Sequence, residues 1–392
     1  MKLSPLQTHY LLAYAVLGII QPYAPLVLED AGLTDAQIGS VIALFGIAVF
    51  ITPPLLGALA DLHLQPRRLI ACIFIVMAVG LCFFGMAQGY TAAAIGYAVL
   101  ALCINPTFPV SDALHFRMQQ ERPAGEPETP FHKIRVWGAY GFILPAIPLA
   151  ILLPDDGIGP RLAMAFGAVV SLLTILNTRR LPAVRHEPSK RSLANFPTWT
   201  AAKRLFKPDA RWFCLSVLLF SSALSAYYGF YPLHLRDLGI EDRYVALIAS
   251  FGVLAEIGCT LIFGTLMAKI GLRNILILGA ASLCARLLLL YLVQTPEAAI
   301  ISQVFHGPAM LLLVIGTPIY LNQLASDSDR TSIQGVFAPL VFGMGRTFGP
   351  LVAGFIAGEQ LGTVFGVGAC LTAFAVVTLA LGFREPERSD SA

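Results

Sequence analysis

Twelve long apolar segments follow one another along the chain, and they constrain its fold more than any motif. A membrane-spanning helix needs about 20 mostly apolar residues. Only 12% of the residues are charged, against about 25% in soluble domains. The chain therefore predicts an all-α membrane protein. The predicted spans cover approximately residues 6–28, 37–60, 68–88, 91–118, 132–153, 161–178, 211–235, 243–268, 273–294, 297–322, 331–356 and 361–383.

A polar, basic stretch at residues 179–210 divides the spans into two groups of six. Two apolar halves joined in this way are typical of a membrane transporter. We predict an N-terminal six-helix bundle over 1–178, a basic cytoplasmic linker over 179–210, a C-terminal six-helix bundle over 211–383 and a cytoplasmic tail over 384–392. A short helix near 201–207, lying on the membrane surface, is a further expectation.

The loops alternate in charge, and this alternation predicts the orientation in the membrane. Arg and Lys accumulate in cytoplasmic loops. Every second loop is basic, and the loops between them are short or acidic, as at Glu29, Asp30 and Asp35. The basic positions outside the linker are Arg67, Arg68, Arg117, Arg122, Lys133, Lys269, Arg273, Arg384 and Arg388. We predict a multi-pass protein of the bacterial inner (plasma) membrane with both termini in the cytoplasm.

The loop after the second span carries Gly57, Asp61 and the pair Arg67-Arg68, and the second half carries Gly264, Lys269 and Arg273 at the matching place. This pattern resembles the signature of the major facilitator superfamily. The resemblance implies the major facilitator fold, with 12 transmembrane helices in two six-helix bundles around a central cavity. It also implies a conformational latch formed by Gly57, Asp61, Arg67, Arg68, Lys269 and Arg273.

Few ionisable residues lie inside the predicted spans, and such residues usually face a cavity or each other. They include Asp112, Arg135, Glu256, Arg286, His306 and Arg346. A buried carboxylate without a permanent partner can take up a proton near neutral pH. Glu256, midway between Arg243 and Lys269, is the best candidate by depth, and His306 is a possible second member. Arg286 and Arg346 either hold Glu256 ionised or receive an anionic substrate, and static ion pairing that only fixes packing is the competing interpretation.

A closer resemblance lies in short segments, namely Pro109-Val-Ser-Asp112, Arg135-Val-Trp137-Gly138-Ala-Tyr-Gly141, Ala226-Tyr-Tyr-Gly-Phe230, Phe251-Gly-Val-Leu-Ala-Glu256 and Gln303-Val-Phe-His306. They are similar to the lactose permease branch of the superfamily, and most similar to its phenylpropionate permeases. The resemblance implies that Asp112 and Arg135 contact substrate, and that Glu256, Arg286 and His306 handle substrate and proton. Lactose permease has a further, proton-carrying carboxylate where this chain has Ala309, so if the protein is proton-coupled, Glu256 or Asp112 must carry the proton.

Aromatic residues on the same spans fit an aromatic solute. Rings can stack on a substrate, although an aromatic belt or core packing explains single rings equally well. The predicted substrate-binding set is Arg135, Asp112, Arg286, Arg346, Trp137, Tyr14, Tyr227, Tyr228, Gln303 and His306.

These observations together predict a secondary active transporter that imports a small organic solute with a proton, by alternating access. An aromatic or other carboxylate such as phenylpropionate is the favoured class. A sugar or nucleoside symporter and a proton-driven exporter are alternatives. The sequence has no nucleophile–base pair, metal-spaced His or Cys cluster or phosphate-binding Gly loop, so a membrane enzyme or a receptor is not favoured. We expect no cofactor, metal or nucleic acid, only substrate, protons and the bilayer as partners, and a monomer.

Overall fold

A computed structural model describes residues 3–61, 65–121, 130–155, 157–183, 199–325, 330–358 and 360–384. All regular structure in these ranges is helical. The helices are α1 (Pro5–Asp30), α2 (Asp35–Asp61), α3 (Pro66–Gly85), α4 (Gly89–Gln120), α5 (Phe131–Ile143), α6 (Ala146–Leu152), α7 (Gly159–Thr178), α8 (Trp199–Leu205), α9 (Pro208–Asp237), α10 (Val245–Leu292), α11 (Pro296–Ile301), α12 (His306–Met310), α13 (Thr317–Leu324), α14 (Arg330–Phe337), α15 (Met344–Ala357) and α16 (Gly362–Gly382).

Eleven segments of the described chain are long and apolar enough to cross a membrane. One of them, Asp242–Leu292, has 51 residues, more than twice the length that a span needs. It is broken at Gly271, whose φ of 74° is open to glycine but strained for other residues. The two parts of α10 on either side of Gly271 therefore count as the eighth and ninth spans, and the described chain has the twelve predicted spans.

Three predicted spans are less regular than the sequence pattern indicates. The fifth is divided into α5 and α6 by a turn at Leu144 and Pro145, because proline has no N–H to continue the helical ladder. The tenth contains a 3₁₀ turn at Ser302–Phe305 and a π-helical turn at Leu311–Gly316. The eleventh contains a π-helical turn at Ala338–Gly343. Such irregular turns often occur at functional sites.

In the N-terminal half, α1 packs against α5 and α7, α3 packs against α4 and α7, and α2 packs against α4. Two glycines allow the close approach of α1 and α5. A Cβ atom on Gly141 would lie 2.1 Å from the carbonyl oxygen of Leu11, and one on Gly18 would lie 2.4 Å from that of Phe142. The backbones of these helices are therefore in direct contact.

The C-terminal half repeats this order. Helix α9, the seventh span, packs against α15 and α16, as α1 packs against α5 and α7. A Cβ atom on Gly349 would lie 2.1 Å from the carbonyl oxygen of Ser222, the same close approach as at Gly141. The first part of α10 touches the tenth span, since a Cβ atom on Gly307 would lie 2.4 Å from the carbonyl oxygen of Ala255.

The described chain forms two compact units, which are Met1–Ser192 with Ile240–Ser250, and Leu193–Gly239 with Phe251–Ala392. The segment Ile240–Ser250 belongs to the first unit although it follows α9 in sequence. There, Arg243 lies 3.2 Å from Asp155, and its carbonyl oxygen accepts a hydrogen bond of 3.3 Å from the Tyr23 hydroxyl. Most of the predicted linker, residues 184–198, and the tail after residue 384 lie outside the described residues. The helix predicted near 201–207 is present as α8.

Candidate functional site

The first cluster of predicted site residues lies in the N-terminal unit, where α1 packs against α4 and α5. The Tyr10 hydroxyl donates a hydrogen bond to Oδ1 of Asp112. One residue earlier on both helices, Nε2 of His9 lies 2.8 Å from Oγ of Ser111. The Ser111 hydroxyl donates its own hydrogen to the Thr107 carbonyl oxygen, at 2.6 Å, so it accepts from His9. Two neighbouring hydrogen bonds therefore join α1 to α4.

Arg135 belongs to the same cluster but makes a different kind of contact. Its guanidinium carbon lies 4.5 Å from the centre of the Tyr14 ring, in the range of a cation–π interaction. Gly138 makes room for this arrangement, because a Cβ atom there would lie 2.8 Å from the Tyr14 ring. Within the described part of the chain, Arg135 has no hydrogen bond and no ion pair with Asp112, although the two charges are close enough to interact.

The second cluster lies in the C-terminal unit around Arg286, of which only 1% is exposed. The guanidinium lies over the Tyr227 ring, 3.9 Å from its centre. One terminal nitrogen donates to the Tyr227 hydroxyl and, at 2.6 Å, to Oε1 of Gln303. The amide of Gln303 in turn donates to the Tyr227 hydroxyl at 3.1 Å. Three side chains predicted from sequence thus form one buried network.

His306 connects this network to Glu256. The other terminal nitrogen of Arg286 lies 3.1 Å from Nδ1 of His306. A guanidinium can only donate, so Nδ1 accepts, and a neutral His306 carries its proton on Nε2. Nε2 faces Oε2 of Glu256 at 3.6 Å. Glu256, Nε2–H, Nδ1 and Arg286 therefore form a continuous polar row.

Local structure positions this row. In the 3₁₀ turn at Ser302–Phe305, residues three apart lie on one face, so Gln303 and His306 both reach Arg286. Gly252, one turn before Glu256, lies directly against them. A Cβ atom on Gly252 would lie 2.6 Å from Oε1 of Gln303 and 3.1 Å from Cγ of His306. The glycine lets the eighth span approach close enough for Glu256 to meet the histidine.

The other predicted substrate-binding residues lie near these clusters or on neighbouring helices. The Trp137 and Tyr140 rings are 5.5 Å apart on α5. The Tyr228 ring lies 6.3 Å from that of His306. The Arg346 guanidinium lies 5.9 Å from the centre of the Phe342 ring. The backbone carbonyl oxygen of Arg346 accepts a hydrogen bond of 3.4 Å from the Ser225 hydroxyl. Their roles toward a substrate stay predictions.

The predicted latch is only partly visible. The side chain of Asp61 and the surroundings of Gly57 lie outside the described residues. Nε of Arg67 donates to Oε1 of Gln65 at 3.1 Å, and Arg68 is exposed. Lys269 is exposed, and Arg273 donates to the Ala380 carbonyl oxygen. The latch stays a prediction.

Sequence reasoning did not assign a site role to several residues that complete the clusters. Tyr10 and Tyr14 lie one helical turn apart on the first span, and this spacing is the signal that the sequence offers. His9 and Ser111 had no signal beyond adjacency to Tyr10 and Asp112. Gly252 lies in the segment Phe251–Glu256 that carries the resemblance, but its close approach to Gln303 depends on tertiary packing.

Comparison with known proteins agrees with this architecture. The sequence model of the MFS_1 like family matches residues 3–367. The chain is 27% identical to the nucleoside permease NupG of Escherichia coli (strain K12), over 81% of this chain and 79% of that protein. It is 23% identical to the "Probable 3-phenylpropionic acid transporter" of the same organism, over 86% and 87%.

The same fold is found in a crystal structure of a mutant of the nucleoside transporter NupG. The TM-score is 0.84 at 20% sequence identity, and the match covers 97% of this chain and 99% of that one. A similarity of this kind extends through both six-helix halves. The chain belongs to the MFS_1 like family and is a multi-pass membrane transporter of the major facilitator superfamily.

Proposed function

We propose that the protein imports a small aromatic carboxylate together with a proton, by alternating access. The observation that carries the proposal is the state of Arg135. Its guanidinium lies on the Tyr14 ring and makes no hydrogen bond within the described chain. A cation with an aromatic neighbour and free donors is suited to a solute that joins a ring to a carboxylate.

The chemistry of arginine supports this choice of substrate. A guanidinium binds a carboxylate through two parallel N–H···O bonds, a geometry that lysine does not offer. The Phe108 ring lies 4.3 Å from that of Tyr14, so apolar surface continues beside the cation. Asp112 is occupied by Tyr10 and does not neutralise Arg135 directly. An anionic aromatic solute can therefore pair its carboxylate with Arg135 and pack its ring against Tyr14 and Phe108.

The row from Arg286 to Glu256 supplies a way to couple a proton to an anion. While Glu256 is ionised, its negative charge offsets Arg286 through the His306 ring. Protonation of Glu256 removes that charge and leaves a buried cation whose direct hydrogen-bond partners, Tyr227, Gln303 and His306, are neutral. Binding of an anion near Arg286 then becomes more favourable. Proton binding and anion binding assist each other by linkage, which is the thermodynamic requirement for symport.

A nucleoside is the second candidate substrate. The similarity to NupG favours it, because NupG is named as a nucleoside permease and matches over 79% of its length. A nucleoside also carries an aromatic ring, but it is uncharged and would not need a free guanidinium. Charge at the substrate therefore discriminates between the two candidates.

The test is uptake by the purified protein in liposomes, with and without an inward proton gradient. We expect the gradient to drive accumulation of labelled 3-phenylpropionate, and unlabelled acid to compete better than uridine. Arg135→Gln should raise the KM for the acid by about tenfold or more, since a hydrogen bond to a charged group contributes about 1.5–3 kcal/mol. Uridine uptake without uptake of the acid would favour the nucleoside candidate, and solute expulsion under the gradient would indicate an exporter.

Glu256→Gln tests the coupling site. Glutamine mimics the protonated acid, so gradient-driven accumulation should disappear while exchange of labelled for unlabelled solute continues. Glu297→Gln, an exposed carboxylate at the start of α11, is the matched control and should accumulate solute normally. Full gradient-driven accumulation by Glu256→Gln would remove Glu256 from the coupling mechanism.

A further inference from the structure

Tyr10 is the residue of the N-terminal cluster whose hydroxyl donates a hydrogen bond to Asp112. We infer that Tyr10 is a specificity-determining residue, whose hydroxyl holds Asp112 away from Arg135 and so keeps the guanidinium available for an anionic substrate. The inference rests on the proposed function for its substrate class. Its structural part, that Tyr10 keeps the two charged groups apart, does not depend on the identity of the substrate.

Opposite charges that are close in a membrane-spanning region attract each other strongly, because the surroundings screen them poorly. Asp112 and Arg135 interact electrostatically, yet no ion pair joins them among the described residues. Another group must therefore stabilise the charge of the Asp112 carboxylate. The Tyr10 hydroxyl does so by donating to Oδ1, and a hydrogen bond to an ionised acceptor is among the stronger kinds.

The position of Tyr10 is fixed by its surroundings. Its side chain is buried, and its ring is nearly parallel to that of Tyr14, with centres 6.5 Å apart. The adjacent hydrogen bond between His9 and Ser111 fixes α1 relative to α4 at the same level. Tyr10 therefore cannot move away from Asp112 without disturbing the contact between these helices.

Two successive turns of α1 consequently serve the two charges separately. The Tyr10 hydroxyl donates a hydrogen bond to the Asp112 carboxylate, and the Tyr14 ring makes a cation–π contact with the Arg135 guanidinium. A ring contact leaves the N–H donors of Arg135 free, whereas an ion pair with Asp112 would occupy them. Loss of the Tyr10 hydroxyl should let Asp112 turn to Arg135, which neutralises the cation and disfavours a carboxylate substrate.

The first experiment measures transport of 3-phenylpropionate by Tyr10→Phe, by Tyr10→Phe/Asp112→Asn and by a matched control. We expect Tyr10→Phe to raise the KM for the acid by about tenfold, the low end for a hydrogen bond to a charged group. The double variant should recover much of this loss, because an amide cannot form an ion pair. Tyr23→Phe is the control, since the hydroxyl of this tyrosine of the same helix donates to the Arg243 carbonyl oxygen and not to Asp112.

The second experiment does not depend on the substrate. Phenylglyoxal reacts with accessible, unpaired guanidinium groups, and mass spectrometry of the Arg135 peptide reports the rate. We expect labelling of Arg135 in the wild type, slower labelling in Tyr10→Phe, and recovery in the double variant. Labelling of exposed Arg68 serves as the internal reference and should be equal in all of them.

The outcomes separate the two hypotheses. Equal labelling of Arg135 in the wild type and Tyr10→Phe, or a double variant that labels no faster than Tyr10→Phe, would overturn the role of Tyr10. If the wild type does not carry 3-phenylpropionate but labelling follows the expected order, the proposed substrate is wrong and Tyr10 still controls the charge pair. Unchanged KM in Tyr10→Phe, with normal uptake by the wild type, would show that this pair does not set substrate preference.

Discussion

Each unit places one arginine over a tyrosine of its own first spanning helix. Arg135 lies over Tyr14 of α1, and Arg286 lies over Tyr227 of α9. A cation–π contact contributes about 0.5–2 kcal/mol, and more when the cation is desolvated. It stabilises a guanidinium in an apolar region without a carboxylate in direct contact. Within the described residues, neither arginine is therefore directly paired with a carboxylate.

The Tyr227 hydroxyl is shared by two members of the Arg286 network. It accepts hydrogen bonds from both Arg286 and Gln303. Tyr227→Phe keeps the ring but leaves two buried donors without this acceptor, which costs about 1–3 kcal/mol for each unsatisfied group. We expect a clear loss of thermal stability in detergent, measured by a melting assay on the purified protein.

The matched variant is Tyr231→Phe, one turn further along α9. Its hydroxyl donates a hydrogen bond of 2.9 Å to the Ala299 carbonyl oxygen rather than accepting one from Arg286. This variant should lose less stability than Tyr227→Phe. Equal melting temperatures for the two would mean that the hydroxyl of Tyr227 is not a structural centre of the network.

At the scale of helices, close backbone contacts at glycine hold each half together. The contacts at Gly141 in α5 and Gly349 in α15 are equivalent, since each would place a Cβ atom 2.1 Å from a carbonyl oxygen of the first helix of its half. Small residues let spanning helices approach in this way. The same device therefore fixes the fifth span against the first and the eleventh against the seventh.

Alanine at either position should force the paired helices apart. We expect Gly141→Ala and Gly349→Ala each to destabilise the protein by about 1–3 kcal/mol, the usual cost of overpacking. The yield of folded protein from membranes and its melting temperature in detergent measure the effect. Gly258→Ala in α10 is the control, because a Cβ atom there meets nothing within 4 Å. Unaltered stability of Gly141→Ala would contradict direct backbone contact between α1 and α5.

The orientation of the whole molecule is a prediction from the charge of its loops. Basic loops should face the cytoplasm, so both termini should lie there and the loop after α1 outside. Green fluorescent protein fused after residue 392 should fluoresce, and alkaline phosphatase at that position should be inactive. Phosphatase fused after Gly32, in the loop after α1, should be active. The reverse pattern would invert the proposed topology.

The sequence by itself determined the class and architecture of this protein. Its long apolar segments, the basic stretch between two groups of six and the Gly-Asp-Arg-Arg pattern predicted a twelve-helix major facilitator fold, which the described chain and its relatives confirm. It also singled out the rare ionisable residues of the spans, because a charge in an apolar segment stands out by composition alone. Arg286 and His306 entered the predicted set on that basis, whereas Tyr227 and Gln303 entered it through the resemblance to the phenylpropionate permeases.

Only the tertiary structure decided which of these groups meet. Residues far apart in sequence, such as Tyr10 and Asp112 or Tyr227 and Arg286, come together through helix packing. The sequence pattern of one helix does not predict which face of another helix packs against it. The structure shows that Asp112 is held by Tyr10 and that Arg135 lies on Tyr14. The 3₁₀ turn at Ser302–Phe305 likewise has no signal in the apolar periodicity of the tenth span.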